Sequence, residues 1–391
     1  MTHLILVLDA AQRSALAVTR SLGEMEGVTI VTAEASSCAL AGTSRFSNEF
    51  IPCPSSTDAP QAFISWLQTL CNTRQFSLII PVTEITSQLL LMHQAQLPQV
   101  ILPFASYNTV MSLADKYQLL LQAQQSGVPT PAFTHYTSAT TLQLDALTYP
   151  CVIKPCRSRI YTPEGWISTS VKLVNDRTEL DKVLRQEAYL QHSPFMVQEF
   201  IPGTGAGLFC LYHHGKAIAF FAHRRLREKP PQGGVSVLSE SIEVDKTLQH
   251  YARQLLDHVG WHGVAMVEFR VTPEGTPYLM EVNTRFWGSL QLAIDSGVDF
   301  PRWLVELALG KTPAVPPHYR IGQRLRWLLG DLDSLYLYLK SRNSIAEKCK
   351  RAIQFVTPAR HTRHEVNRFS DWKPGWFECK LYLAQLLKRD H

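Results

Sequence analysis

The sequence predicts a mixed fold, α/β at the front of the chain and α+β in its middle, followed by a basic and mostly helical end. Three observations carry this. Over roughly the first 110 residues, short apolar runs alternate with stretches of helical spacing. From Tyr149 onward, the strand-like runs come largely in pairs joined by tight turns. Residues 313–391 then hold 15 Lys/Arg against 7 Asp/Glu, a net of +8, while the 312 residues before them are net −3.

Composition sets the outer limits. The chain has 391 residues, of which 45% are hydrophobic and 18% charged. That suits two or three domains with sizeable cores and argues against a disordered chain. The overall charge of +5 does not call for nucleic acid. The eight tryptophans form no stripe with basic residues on which bases would stack. No stretch approaches the ~18 apolar residues of a membrane-spanning helix. The first apolar run ends at Asp9, short of a signal-peptide core. The eight cysteines are scattered without a Cys-x-x-Cys, which fits reduced thiols and a cytoplasmic location.

In the front part, residues 3–8, 28–32, 78–82 and 101–104 read as strands, with helices over 9–22 and 62–71. Such repetition implies a parallel sheet with helices on its faces. The pattern resembles a Rossmann-type domain. The turn after the first strand reads Asp-Ala-Ala-Gln-Arg-Ser, however, so a dinucleotide is not expected there. Glu84 follows a strand's carboxyl end, where open sheets take ligands; it suits a helix start equally well. One helix is expected between residues 106 and 131, with Asp115 and Lys116 inside it.

In the middle, residues 149–155 form a strand ending at Lys154-Pro155, and 195–201 another that stops at Pro202-Gly203. Residues 207–212 and 216–222 make a hairpin about His214-Gly215, so His213 and His214 read as turn residues rather than ligands. Residues 264–271 and 276–282 make a second hairpin. In the tail, 321–339 and 376–388 have helical spacing, and 371–375 reads as a turn.

The second hairpin carries the chemistry. Glu281 and Asn283 are two apart and share one face of a strand, and Glu268 lies on the partner strand. Two carboxylates and a carboxamide in otherwise apolar strands suit Mg²⁺ held together with nucleotide phosphates. Arg285 extends that face and suits a phosphate oxygen. The segment from His223 to Ser236 puts four cations before Pro-Pro and Gly-Gly. His223, Arg225 and Arg227 alternate, which places them on one face for an anionic substrate. No nucleophile elbow and no Walker loop are present.

This ordered set resembles the ATP-grasp superfamily, and specifically its carboxylate-amine ligases. The resemblance spans about residues 1–310 and rests on Asp115-Lys116, Ile153-Lys154-Pro155, residues 197–203, Glu268, and Glu281 to Arg285. It implies a pre-ATP-grasp Rossmann-like domain over residues 1–112 and a two-lobed ATP-grasp domain over 113–312 with ATP between the lobes. Residues 313–391 are a basic, mostly helical extension outside it. It further implies that Lys116 and Lys154 reach the phosphates, and that the linker Gln198, Glu199, Phe200 and Ile201 holds adenine through its backbone. Glu268, Glu281 and Asn283 then bind Mg²⁺, with Mn²⁺ as a substitute. Arg225 and Arg285 steady the transferred phosphoryl group.

Two departures stand out. The ribose acid of many relatives is replaced by Gly203-Thr-Gly-Ala-Gly207. The lid, residues 156–166, bears Arg157 and Arg159 where glycines are usual. The implied reaction joins a small-molecule carboxylate to an amine through an acyl-phosphate, releasing ADP and phosphate. A carboxylase and a non-catalytic nucleotide-binding regulator are the alternatives. A homo-oligomer and an anionic partner for the basic tail stay open.

Overall fold

The computed structural model of the protein describes residues 2–97, 100–143, 147–162, 165–357 and 360–389. Strands β1 (His3–Val7), β2 (Val28–Glu34), β3 (Glu49–Pro52) and β4 (Leu78–Ile80) open the chain. They form a parallel sheet in the order β3-β2-β1-β4. β1 shows why its run is apolar throughout. Leu6 packs into one core with Phe63, Ile64 and Leu67 of the helix Pro60–Thr73. Ile5 and Val7 face another, with Leu16, Val18 and Leu22 of the helix Arg13–Gly23. Successive side chains leave a strand on opposite sides, so both faces are covered. Residues 101–104, expected as a strand, contribute a single bridge from Ile101 to Leu78. Pro103, lacking an N–H, cannot extend that ladder.

Two antiparallel units follow. Strands β5 (Phe133–Tyr136), β6 (Cys151–Pro155), β7 (Arg159–Thr162), β8 (Gly165–Ser168), β9 (Lys172–Val174) and β10 (Phe195–Glu199) divide into a sheet β5-β10-β6-β9 and a β7-β8 hairpin. The hairpin occupies the lid position, of which Pro163 and Glu164 lie outside the described residues. The helix expected between residues 106 and 131 is two helices, Tyr107–Ala114 and Lys116–Gln125. Asp115 sits between them in extended backbone and accepts hydrogen bonds from the N–H groups of Tyr117 at 3.2 Å and Gln118 at 3.3 Å. It is an N-cap, so Lys116 opens a helix instead of lying within one.

The large sheet comprises β11 (Thr204–His213), β12 (Lys216–Lys229), β13 (Val235–Ile242), β14 (Gly263–Val271), β15 (Pro277–Asn283), β16 (Arg324–Arg326) and β17 (Thr362–His364). Its order is β15-β14-β11-β12-β13-β16-β17. The C-terminal segment therefore adds two strands to this sheet. The helical spacing over 321–339 is realised only from Leu328 to Lys340, because β16 takes the residues before it. Residues 371–375, expected as a turn, are entered by the helix Lys373–Arg389. Pro374 is tolerated there because the first helical turn has no intrahelical use for its N–H.

Several of the tail's arginines are paired inside the fold. Asp331, fully buried, receives Arg227 at 2.8 Å, Arg326 at 2.7 Å and Arg351 at 2.7 Å. Asp295 receives Arg363 and Arg368. Arg20, on the first helix, donates to the Asp371 carboxylate at 2.8 Å and to the carbonyls of Glu365 and Val366. Burying a guanidinium is costly without such partners, so the tail and the first sheet are bound to one another.

Candidate functional site

The site forms where the edge of the large sheet faces β6. In the β14–β15 pair, Glu268 lies directly opposite Glu281. Like charges opposite each other across two strands repel, and the surrounding groups offset this. The Asn283 amide donates to Glu268 at 3.1 Å and to Glu281 at 3.2 Å. Arg225 reaches Glu268 at 3.1 Å, and the Lys116 ammonium lies 3.7 Å from Glu281. Arg285 donates to the Asn283 side-chain oxygen Oδ1 at 3.2 Å. Lys154 donates to the carbonyl of Met280 at 2.7 Å.

Both lysines are buried, Lys116 at 5% exposure and Lys154 at 4%, so neither is a surface lysine. Lys116 is fixed at both ends. Its N–H donates to the Cys156 carbonyl at 2.7 Å and its ammonium to the Ser158 hydroxyl at 2.6 Å. Burial lowers the Lys154 pKa to about 8, with Lys116 adding to the fall and Glu281 and Glu268 opposing it. Burial and the neighbouring Glu281 push Glu268 above the ordinary carboxylate range. Glu281 is equally desolvated, yet Lys116 and Lys154 hold it below that range.

Four cations thus surround two carboxylates, with Glu228 a third acid that pairs with Arg225 at 3.2 Å. The excess positive charge calls for an anionic ligand, and the carboxylates offer hard oxygen donors to a divalent cation beside it. Of the linker residues, Gln198 is buried and its Nε2 has no hydrogen-bond partner among the described residues. Glu199 accepts from the N–H of Ala132 at 3.3 Å. Phe200 lies under the Arg270 guanidinium, which also donates to the Ile201 carbonyl at 3.1 Å. Gly203 follows at φ 141°, where an added Cβ would come 2.1 Å from the Val271 carbonyl oxygen.

Arg227 does not join the site. β12 bulges at Leu226: Arg225 pairs with Ser239 but Arg227 with Leu238, the adjacent position. One extra residue turns the next side chain to the other face, and Arg227 goes to Asp331 instead. His223 remains on the Arg225 side, buried, with its Nε2 2.8 Å from the Ser289 hydroxyl. Burial and then Arg225 depress its pKa to about 3. Of the two lid arginines, Arg157 pairs with Asp115 at 3.1 Å, whereas Arg159 faces a cleft.

That cleft, about 550 Å³, lies beside the site and is walled mainly by residues around the first sheet. Asp9, Arg13, Glu34 and Glu84 line it, together with Arg159 and Arg285. Glu84 is both things its position suggested: the first residue of the helix Glu84–Met92, capped by Thr83, and a wall of the cleft. Asp9, two residues past β1, has φ 58° and accepts from the N–H groups of Val82 and Thr83 and from the Thr86 hydroxyl. Sequence reasoning passed over Asp9, Arg13 and Glu34. The rule that open sheets bind ligands at their carboxyl ends, applied to β1 and β2, finds Asp9 and Glu34.

The comparisons bear on this arrangement. A family model described as "ATP-grasp in the biosynthetic pathway with Ter operon" matches residues 191–330. The solved biotin carboxylase from Campylobacter jejuni superposes with a TM-score of 0.64 at 16% identity, over 83% of this chain and 74% of that one. The chain therefore resembles the ATP-grasp family over residues 191–330 and shares the fold of this solved structure. The L-amino acid ligase from Bacillus licheniformis also superposes on this chain, with a TM-score of 0.59 at 19% identity, over 79% of this chain and 74% of that one. The D-alanine–D-alanine ligase of Coprothermobacter proteolyticus is 29% identical over 187 residues, 44% of this chain and 58% of that protein. The chain spans about half the length of the curated relatives it matches. Among the described residues, no helix is long and apolar enough to cross a membrane.

Proposed function

We propose that this protein is an ATP-grasp enzyme, an ATP-dependent carboxylate-amine ligase. The observation that carries the reading is the gathering of Lys116, Lys154, Arg225 and Arg285 around Glu268, Glu281 and Asn283, next to a cleft lined by charges of both signs. The donor set fits Mg²⁺: two carboxylates and an amide oxygen leave coordination positions for phosphate oxygens. When bound, the cation would neutralise charge on the phosphates. Lys116 and Lys154 would hold the α- and β-phosphates. Residues 198–201 would edge the adenine, where the unpartnered Gln198 Nε2 supplies a donor.

Catalysis would then be positioning and charge stabilisation. A carboxylate oxygen attacks the γ-phosphorus as its bond to ADP breaks. The amine attacks the acyl carbon of the resulting acyl-phosphate, loses a proton, and expels phosphate. Arg285 and Arg225 would steady the phosphoryl oxygens during transfer. The cleft would hold the acid and the amine, with Arg159 facing it for a carboxylate and Glu34 and Glu84 for an ammonium; Arg13 is held by Glu365 and Asp9 by Val82, Thr83 and Thr86. The named relatives, a D-alanine–D-alanine ligase and an L-amino acid ligase, favour amino acids for both parts. The domain limits implied by the resemblance, 1–112, 113–312 and 313–391, belong to the same reading, with the last segment built into the large sheet. A cytoplasmic setting follows from such substrates.

The test is ADP release with Mg-ATP against a matrix of amino acids, other carboxylates and amines. ADP release that needs both an acid and an amine, and is lost in a Glu281→Ala, Asn283→Ala double variant, supports the ligase. Release that needs only bicarbonate replaces it with a carboxylase. Mg-ATP binding without turnover across the matrix favours a regulator.

A further inference from the structure

We propose that His213, His214 and His262 form a second metal site, suited to Zn²⁺ and separate from the ATP-grasp centre. One nitrogen from each of the three rings lies within 4.8 Å of the other two. The rings of His214 and His262 are parallel within 2° at 4.3 Å, and His213 stands edge-on to them at 4.4 and 5.3 Å.

Two of these imidazoles have unmet or weakly met nitrogens. Among the described residues, the buried His213 Nδ1 has no hydrogen-bond partner, which is unfavourable for a polar atom. His262 Nδ1 accepts only a long 3.4 Å contact from the His214 N–H. A metal ion would take up such lone pairs directly.

The backbone holds the three residues in place. His213 ends β11, and His214 occupies the hairpin turn at φ 46°. The Gly215 N–H donates to the Trp261 carbonyl at 2.8 Å, tying that turn to the segment carrying His262. The hairpin also lies close enough that a Cβ on Gly215 would meet the Cα of Gly260 at 3.4 Å. On the other side, the His262 carbonyl accepts from Ala105 at 2.9 Å, in the stretch leaving the first domain.

Little movement separates this cluster from a coordination sphere. Tetrahedral Zn²⁺ with bonds of about 2.1 Å places ligand nitrogens about 3.4 Å apart. The present spacing needs to close by at most about 1.4 Å, which side-chain torsions supply without moving the backbone. Three imidazoles with a fourth position for water favour Zn²⁺, with Cu²⁺ and Ni²⁺ as competitors; Mg²⁺ prefers oxygen and is excluded. His262 lies six residues before Glu268, about 20 Å along the strand, so the site is not part of the ATP-binding centre. Its role would be to pin the β11–β12 hairpin to the start of β14 and, through His262, to the stretch from the first domain.

The experiment titrates the full chain, stripped of metal by chelator, with ZnCl₂ by calorimetry, followed by thermal melting with and without Zn²⁺. One Zn²⁺ should bind per chain with a Kd tighter than about 10 μM. His214→Ala and His262→Ala should each weaken binding by at least about tenfold, and Zn²⁺ should raise the Tm of the unaltered protein but not of these two variants. His214 is exposed, so its replacement tests the site without disturbing the core. Glu281→Ala, in the other centre, should leave Zn²⁺ binding unchanged. Absence of saturable binding, or binding that survives both histidine substitutions, would overturn the proposal.

Discussion

Lys154 offers a test with a sign and a size. In the free protein its pKa is lowered to about 8 by burial, against an ordinary value of 10.5. Glu281 and Glu268 face it and oppose the fall, and Lys116 adds to it. Bound phosphate would restore the ammonium's stability and return the pKa towards the ordinary value. The gap corresponds to roughly 3 kcal/mol of coupling between the proton and the phosphates. The sign follows directly. Below pH 8 the free protein already carries the charge, and affinity for ATP is flat. Above pH 8 a proton must be taken up on binding, so affinity falls. Between pH 7 and pH 9 the loss should be about tenfold. The assay is calorimetric titration with Mg-ATP in two buffers of different ionisation enthalpy, which counts protons as well as affinity. Uptake should approach one proton per ATP at pH 9 and vanish near pH 6. Lys154→Arg keeps its charge throughout and should abolish the slope. A flat profile in the unaltered protein, or the same slope in Lys154→Arg, would refute the assignment of Lys154 to the phosphates.

Three further outcomes follow from the structure. Asp371→Ala leaves buried Arg20 without its carboxylate and should cost about 3–5 kcal/mol; spread over a chain of this length, the Tm should fall by about 4–6 °C in scanning calorimetry. Gly203→Ala places a methyl 2.1 Å from the Val271 carbonyl oxygen at φ 141°, so its urea midpoint should drop by the equivalent of about 2 kcal/mol or more. Arg227→Ala should lower stability through Asp331 while leaving ATP binding within about twofold of the unaltered protein. Arg225→Ala, one bulge away, should do the reverse and cut turnover by about tenfold or more; fluorescent-nucleotide binding and ADP release separate the two.

What the sequence revealed and what it concealed divide on physical grounds. Glu281 and Asn283 were legible because a strand has a fixed period of two, and a polar pair in an apolar run then marks one face. The strand ending at Lys154-Pro155 was legible from its apolar run, whereas a role for Lys154 came only from the resemblance. The β11–β12 and β14–β15 hairpins were legible from their turns. Arg227 was misread because one extra residue at Leu226 inverts the face, and a bulge leaves no mark in composition. Asp115 was misread because the same helical spacing runs through a capped break. The docking of the tail joins Arg20 to Asp371 across 351 positions, and a charge count cannot say which cations have partners inside the fold. The histidine cluster is hidden for the same reason, since His262 lies 48 positions from His214.

The most direct test of the ligase is the fate of a carboxylate oxygen. With a productive acid and amine identified, the acid is labelled with ¹⁸O in its carboxylate and the released phosphate is examined by mass spectrometry. An acyl-phosphate route transfers a labelled oxygen from the acid to phosphate in each turnover. Phosphate bearing oxygen only from the solvent, or only from labelled bicarbonate, would contradict the carboxylate-amine ligase.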